Sequence, residues 1–579
     1  MNPSYVYDIE TENWTTFVLG GLYDGRSFEA FDHTREREFV TRLASLRGEV
    51  YAHNGGRFDH LWLLDAIERY GLQRQGRVIA NSSGMIKLAY KGGPTFLDSW
   101  RVFPMSLRKL TNGEKESLDD LCMCGLGCGG YCAVRRDMRP PVRARVTSYL
   151  RRDCTALWDA LSYFGELGAR ERISFGVTIG GSAWKTIREE LGVEDQPFES
   201  PATWRYVRSA YYGGRCDAFK RYSPAGFSYD VNSMYPAKIA QCPLPVRFTG
   251  SAYGATAARA YAGGVPGVYT ATVLVPPTHI PPLPLRMERP WRRMFYPTGR
   301  FQGTWTFPEL AYAESTGVKI VKIHRAALFA EGRTLFTSWV NRLFALRASF
   351  GKASREGAWL KLLMNSLTGK FGSREDMREL LIDPEDIRIC TCQDDGEPCS
   401  CGAYTALPHS GRLYEREVKR IQPCAHVEWS SYLTSEARID LHKQLTARGG
   451  TDAVYCDTDG IQCEEGRTRD VGSAIGEWSV EGEYRDFIAL APKVYTYWKD
   501  GERKVRAKGI PKPDWEKLAR GEDTTFNAIA GLRNPVDGKY FMRMARHRKV
   551  TPNSGGRIPN GSIDTRPPTV DEVYSMCRS

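Results

Sequence analysis

Two groups of carboxylates stand where they could hold divalent cations. Asp8 and Glu10 lie two apart at the end of the strand-like run YVYDIE, and the two-residue period of a strand puts both side chains on one face. Asp59 opens the amphipathic stretch FDHLWLLDAIERYG, and Asp153 follows Tyr149 by four residues in SYLRRD, so that pair shares a helical face. Carboxylates from three separate elements can hold two metal ions that activate a water and stabilise the leaving oxygen of a phosphodiester. Tyr149 is placed to orient that water. The second group is Asp230, ending the strand in YDVNSMYP, with Asp457 and Asp459 at the turn of a predicted hairpin in YCDTDG. There the attacker would be a 3′-hydroxyl and the leaving group pyrophosphate. Hard oxygen ligands favour Mg²⁺ or Mn²⁺, two ions in each site. Between these motifs, Lys361, Asn365 and Gly369 recur every four residues in KLLMNSLTGKFG and form one helical stripe. A cation there can neutralise a triphosphate, while Asn365 and the small Gly369 let a nucleotide approach. The Leu and Met residues of the opposite face suit a core. A lone DxE or DTD is more often a solvated strand end or turn; the ordered set makes the reading specific.

The elements that must position these residues follow from the pattern along the chain. Residues 1 to about 165 alternate strand-like runs with helical stretches, an α/β pattern. Residues 243 to about 335 are rich in Pro, Gly and Thr with β-type runs such as GVYTATVLVPP, and SWVNRLFALRASF and AWLKLLMNSLTGKFG read as two helices. Residues 373–425 read as irregular, and the stretch from about 551, rich in Pro, Gly and Arg, as partly mobile. At 579 residues the chain is too long for one core. Its net charge of +12, 80 Lys and Arg against 68 Asp and Glu, suits a polyanionic partner and equally a solvated basic surface. The N-terminus shows no secretory signal and no run is apolar enough to span a bilayer, so a cytoplasmic chain without a membrane partner is expected. Fifteen cysteines in that compartment imply reduced thiols or metal ligands. Cys390, Cys392, Cys399 and Cys401 form one cluster, with His409 and Cys424 as alternative ligands, and Cys122, Cys124, Cys128 and Cys132 form another. Either could take a structural Zn²⁺.

Taken together, these residues resemble the family B DNA polymerases. Asp8 with Glu10, Asp59, and Tyr149 with Asp153 match the three exonuclease motifs, and Asp230, the Lys361 stripe, and Asp457 with Asp459 match the three polymerase motifs. The resemblance implies an α/β, RNase H-like 3′–5′ exonuclease followed by an α+β right hand of palm, fingers and thumb with two insertions. It implies that Ser233 and Lys361 touch the triphosphate, that Tyr235 stacks under the incoming sugar and excludes a 2′-hydroxyl, and that Val231 joins the metal ligands. YYGG at Tyr211–Gly214, with Gly213, resembles the segment that balances synthesis against editing. Lys493 and Tyr495 in KVY, and Lys508, match contacts to the primer strand. Thr11, Asn54, Phe58 and Ser99 would grip the single-stranded 3′ end, with Trp100 a further stacking surface.

Loop lengths further resemble the protein-primed group typified by small Bacillus phages, in which one insertion docks a terminal protein and the other supports strand displacement. The implied organisation is an exonuclease over 1–172, palm over 173–242 and 426–510, a terminal-protein-docking insertion over 243–337, fingers over 338–372, a Cys-rich second insertion over 373–425, and thumb and tail over 511–579. The implied partners are primer-template DNA, dNTPs and a terminal protein, bound by a monomer. The competing readings are a DNA-primed or primer-independent polymerase of a plasmid or integrated element, and a nuclease or structural replication factor with a defunct polymerase site. Two departures stand out. Thr368 replaces the usual Tyr of the fingers motif, leaving less surface to pack on a base pair. The exonuclease lysine expected before Tyr149 has only Arg135 and Arg136 nearby, and an arginine cannot donate a proton as a lysine does.

Overall fold

The computed structural model describes residues 1, 3–12, 16–72, 74–81, 84–113, 116–124, 128, 130–287, 294–374, 376–385, 387–390, 403–406, 413–466, 471–511, 513–530, 542–550 and 556–576. At the front, strand Tyr5–Glu12 runs parallel to Gly48–Ala52, which runs parallel to Pro94–Asp98, and the hairpin strands Thr16–Tyr23 and Phe28–Asp32 extend the sheet antiparallel. Alternation along Tyr5–Glu12 decides what each face carries. Tyr7 and Ile9 enter a core with Phe39 and Val40 of helix Glu36–Ser45 and Leu61 and Trp62 of helix Asp59–Arg69. Val6 enters the opposite core with Cys154, Leu157 and Phe164 of the long helix Pro140–Arg170. Asp8 and Glu10 share the parity of Val6 and so face the helix that carries Tyr149 and Asp153.

This sheet does not end with the front segment. Strand Asp376–Ile382 pairs antiparallel with Gly76–Asn81 and is itself paired to Leu413–Lys419, so the sheet reaches ten strands. Leu380 and Ile382 are buried in the same core as Val78 and Tyr90. Glu379 ties the join, bound by Arg77, Arg416 and the Tyr404 hydroxyl. The expectation of an irregular 373–425 segment is therefore corrected: its described residues supply strands to the front sheet, because an edge strand with unpaired backbone groups accepts a partner from any part of the chain.

The second large sheet is antiparallel throughout and has seven strands, in the order Glu502–Ala507, Val494–Lys499, Trp478–Ala491, Tyr222–Val231, Gly460–Cys463, Ala453–Asp457 and Cys216–Ala218. Helices Met234–Gln241 and Val427–Thr446 cover it, with Met234, Leu441 and Leu445 packed on Tyr229 and Ile461. Between them in sequence, Leu244–Tyr253, Lys319–Arg333, Gly267–Val275 and Gly299–Thr306 form a four-stranded antiparallel sheet with its own core around Tyr269, Val273, Phe301 and Trp305. Val570 and Val573 of helix Val570–Met576 are buried in that core, so residues 556–576 are docked and the mobile-tail expectation is corrected for them. Helices Thr337–Phe350 and Arg355–Phe371 form a hairpin joined by a short turn. Trp359 packs on Phe103 and Phe164 and donates to the Val102 carbonyl at 3.2 Å, which fastens this hairpin to the front unit. This is an α/β front unit followed by a right hand with two insertions.

Candidate active sites

Antiparallel register assembles the rear site. Asp230 pairs with Gly460, and Gly460 pairs with Asp457, so the two aspartates flank one strand. Strands spaced about 4.8 Å apart put their backbones about 10 Å from each other, within reach of a shared ion pair for two carboxylate side chains. Asp459 lies in the tight turn, where its carbonyl accepts from the Val231 amide at 2.9 Å. The turn needs Thr458 at φ +63° and is pinned by the Thr458 amide donating to the Arg215 carbonyl at 2.7 Å. Gly214 makes that contact possible: a Cβ there would lie 2.6 Å from Thr458 Oγ1 and 2.7 Å from its Cγ2. The YYGG segment thus touches the carboxylate turn directly.

The charges behave as a crowded anionic cluster. Burial, then Asp459 and Glu481, raise the Asp230 carboxyl to about 7 against the pull of Lys361. Asp459 is raised by burial and then by Asp457, with Lys361 and Lys493 opposing. Lys493, itself at φ +63°, forms an ion pair with Asp457. A concentration of carboxylates that burial pushes toward neutrality is the donor set a divalent cation fits. Tyr235 is raised to about 12, chiefly by burial and then by Tyr211 and Asp459.

On the helix hairpin, Lys361 and Gly369 are exposed and Asn365 is half-buried, while Leu363, Met364 and Leu367 are buried, so the two faces divide as the periodicity implies. Thr368 falls on the inner side: it is 4% exposed, its hydroxyl has no hydrogen-bond partner, and its carbonyl accepts from Ser430 Oγ at 2.8 Å. Arg347 was not singled out from sequence. It is buried, its Nη1 lies 3.3 Å from Ser233 Oγ, its Nε has no partner among the described residues, and burial lowers its pKa. A buried guanidinium with an unused donor beside Ser233 is a phosphate-binding arrangement. A lone arginine in an amphipathic helix carries no local signal of this. Glu481, which raises the Asp230 carboxyl where Lys361 lowers it, was likewise unmarked. Tyr495 stacks on Phe487 with ring centroids 5.4 Å apart, and the exposed Lys508 donates its amide to the Lys493 carbonyl at 3.0 Å.

At the front site, Glu10, Asp59 and Asp153 are buried and Asp8 is half-buried. Burial, then Asp8, raise Asp59 well above the carboxylate range, and its Oδ1 is buried without a hydrogen-bond partner. Burial raises the Cys154 thiol, and Asp8, Asp153, Asp59 and Glu10 all raise it further. Tyr149 is raised by burial, then by Asp153, Tyr131 and Glu10. An orphaned carboxylate oxygen among anionic neighbours again fits a cation. Asp98, raised by burial to about 6 and paired with Arg101, adds a further carboxylate next to Asp59 that the spacing did not mark as a ligand.

The residues expected to grip a 3′ end are placed less uniformly. Asn54 has φ +64° and a buried, unpartnered Oδ1, and Phe58 immediately precedes Asp59 and is half-buried. Thr11 follows a bulge after Glu10. Ser99 is buried, with its hydroxyl 3.0 Å from His53 Nδ1 and 3.2 Å from the Ala52 carbonyl, so it faces the interior. Arg57 lies over the Trp100 ring at 4.7 Å. Arg135 donates to the Cys132 carbonyl and Arg136 to the Phe17 carbonyl.

The thiols of Cys122, Cys124, Cys128 and Cys132 converge, all within 4.8 Å of one another. Cys392, Cys399, Cys401 and His409 lie outside the described residues; Cys390 is half-buried, its amide donating to the Tyr404 carbonyl at 2.7 Å, and Cys424 is buried beside Gln422. Among the described residues no helix is long and apolar enough to cross a membrane.

The family described as DNA polymerase type B, organellar and viral, matches residues 141–416. A probable DNA polymerase of Ascobolus immersus is 28% identical over 87% of this chain and 46% of its own length. One of Neurospora intermedia is 25% identical over 87% of this chain and 58% of its own length, so the chain spans about half the length of these fungal relatives. The DNA-directed DNA polymerase of Enterobacteria phage PRD1 is 27% identical over 84% of this chain and 81% of that protein. In structure, the chain is similar to phi29 DNA polymerase complexed with primer-template DNA and incoming nucleotide, with a TM-score of 0.72 and 17% identity over 95% of this chain and all of that one.

Proposed function

We propose that this chain, a member of the type B DNA polymerases of organellar and viral kind, extends a DNA 3′-hydroxyl with dNTPs on a DNA template and edits its product by 3′–5′ hydrolysis. The observation that carries the reading is the convergence of Asp230 and Asp457 on nearby strands with Asp459 in the adjoining turn, and with Lys361 acting on the same cluster from the helix hairpin. The rear carboxylates would hold two Mg²⁺ or Mn²⁺ ions, which lower the pKa of the primer hydroxyl and neutralise charge on the departing pyrophosphate.

The chain's own groups do the rest. Lys361, with Arg347 through Ser233, binds the triphosphate, and the exposed Gly369 leaves room for the nucleotide above the Asn365 stripe. Tyr235 offers its ring to the sugar. The 3′-oxygen bonds to the α-phosphorus as the bond to the β-phosphate oxygen breaks, and the hydroxyl proton leaves to solvent. Lys493 and Lys508 hold the primer backbone, and the ion pair between Lys493 and Asp457 keeps that lysine beside the carboxylates. In the front site, Asp8, Glu10, Asp59 and Asp153 would hold the corresponding ions, and Tyr149 directs a water at the terminal phosphodiester. Asn54 and Phe58 hold the splayed 3′ end.

Priming by a terminal protein is supported through likeness to the polymerases of Enterobacteria phage PRD1 and Bacillus phage phi29, and by the four-stranded unit inserted before the helix hairpin, the place where a docking insertion is expected. Primer extension on a hairpin template with Mg²⁺ and dNTPs tests the central reading. Wild type extends and Asp457→Ala does not; equal extension by both would defeat it. Transfer of a labelled dNMP to a co-expressed protein partner tests the priming mode, and label confined to DNA ends refutes it.

A further inference from the structure

Cys122, Cys124, Cys128 and Cys132 lie in the segment between the last short strand of the front unit and the long helix, and none of the four is in a disulfide. Cys122 Sγ is 3.6 Å from Cys124 Sγ and 3.5 Å from Cys128 Sγ. A tetrahedral zinc with bonds of about 2.3 Å sets its sulfurs about 3.8 Å apart. Two backbone amides already point at sulfurs, Met123 N–H at Cys132 Sγ (3.2 Å) and Cys132 N–H at Cys128 Sγ (3.4 Å), the outer bonds that orient thiolate ligands. Leu118, Val134 and Met138 anchor the two ends of the segment in a small core with Tyr149, whereas Met123 and Tyr131, at the cluster itself, are exposed. Within the cluster, between Cys128 and Cys132, Tyr131 places its hydroxyl 3.1 Å from that of Tyr149. Tyr131 thus reaches the front site through Tyr149, while Arg135 and Arg136 donate to backbone carbonyls, those of Cys132 and Phe17.

We propose that these four cysteines bind one structural Zn²⁺ and that the ion, by bracing the segment, holds Tyr131 on Tyr149 as a positioning residue for editing. The four thiols release their protons to solvent as the ion binds, and no electron is transferred. The held Tyr131 hydroxyl fixes the direction of the Tyr149 hydroxyl, and with it the hydrogen bond Tyr149 offers to a water at the carboxylates. The metal assignment stands on the thiol geometry alone; its catalytic consequence rests on the editing reading above.

The full chain is purified with and without chelator, and its zinc is counted by native mass spectrometry. One ion per chain is expected, lost in Cys122→Ser/Cys128→Ser and kept in Cys392→Ser/Cys399→Ser. No zinc in wild type, or retention in the first variant, overturns the metal site. Tyr131→Phe keeps the ion, slows hydrolysis of a single-stranded 3′ end on the order of tenfold through kcat with KM unchanged, and leaves primer extension intact. Wild-type hydrolysis in Tyr131→Phe overturns the positioning role. Amide exchange separates the two proposals without any assay of activity: chelation speeds exchange around residues 116–138 and Tyr149 and leaves the rear sheet unchanged. If wild type binds zinc and shows that exchange pattern but degrades no DNA, the editing reading fails and the brace stands. Unchanged exchange on chelation overturns the brace.

Discussion

Replacing Asp230 with Asn should abolish extension and at the same time stabilise the metal-free protein, increasingly so as pH rises from 5 to 8. Burial and the neighbouring carboxylates lift the folded-state pKa of Asp230 from 3.8 to about 7. Between those values the native state keeps a proton that the unfolded chain has released, so wild-type stability falls as pH rises through the window and levels off above about 7. The shift corresponds to at most about 4 kcal/mol. Solvent reaches part of this carboxyl and screens it, which brings the expected penalty at pH 8 to about 1–2 kcal/mol. An amide of the same shape carries no charge at any pH and escapes that penalty. Thermal melts in chelator at pH 5, 6, 7 and 8 should show the midpoint of Asp230→Asn rising above wild type by a few degrees at the alkaline end, and little at pH 5. Adding Mg²⁺ should reverse the order, because a cation that binds only the native carboxylates stabilises wild type. A gain independent of pH, or Mg²⁺ stabilising both proteins alike, would falsify the picture of a strained anionic cluster awaiting cations.

Other changes probe the remaining contacts. Gly214→Ala drives a Cβ into Thr458 and displaces the carboxylate turn, so extension should fall on the order of a hundredfold while 3′-end hydrolysis is unaffected. Adding Thr458→Gly to that variant, which removes the clashing atoms at a residue of positive φ, should restore much of the loss; no restoration would show that Gly214 acts elsewhere. Asp8→Ala with Asp59→Ala should end degradation of a labelled single strand and spare extension, and persistent degradation would remove the front site from editing. Arg347→Ala should raise the KM for dNTP by roughly ten- to a hundredfold, the size of a lost charge-assisted hydrogen bond, with Arg347→Lys intermediate; an unchanged KM would make the guanidinium purely structural.

The amino-acid order by itself determined the chemistry on offer and much of the local structure. The two-residue period around Asp8 and Glu10 and the four-residue period of Lys361, Asn365 and Gly369 are properties of short segments, and they appear in the structure as one strand face and one exposed helical stripe. The hairpin around Asp457 and Asp459 is equally local, since its turn joins two strands adjacent in sequence. What the tertiary structure alone decided concerns surfaces that meet from far along the chain. Strand Asp376–Ile382 read as irregular because its pairing edge, Gly76–Asn81, lies about three hundred residues away, and strand formation depends on that neighbour more than on intrinsic preference. Helix Val570–Met576 is ordered by the inserted unit's core rather than by its own composition. The burial of Thr368, the approach of Arg347 to Ser233 and the meeting of Tyr131 with Tyr149 are side-chain encounters between elements, and no periodicity within either partner encodes them. Local sequence sets which groups each element can present; the packing of one element on another selects which of them share a site.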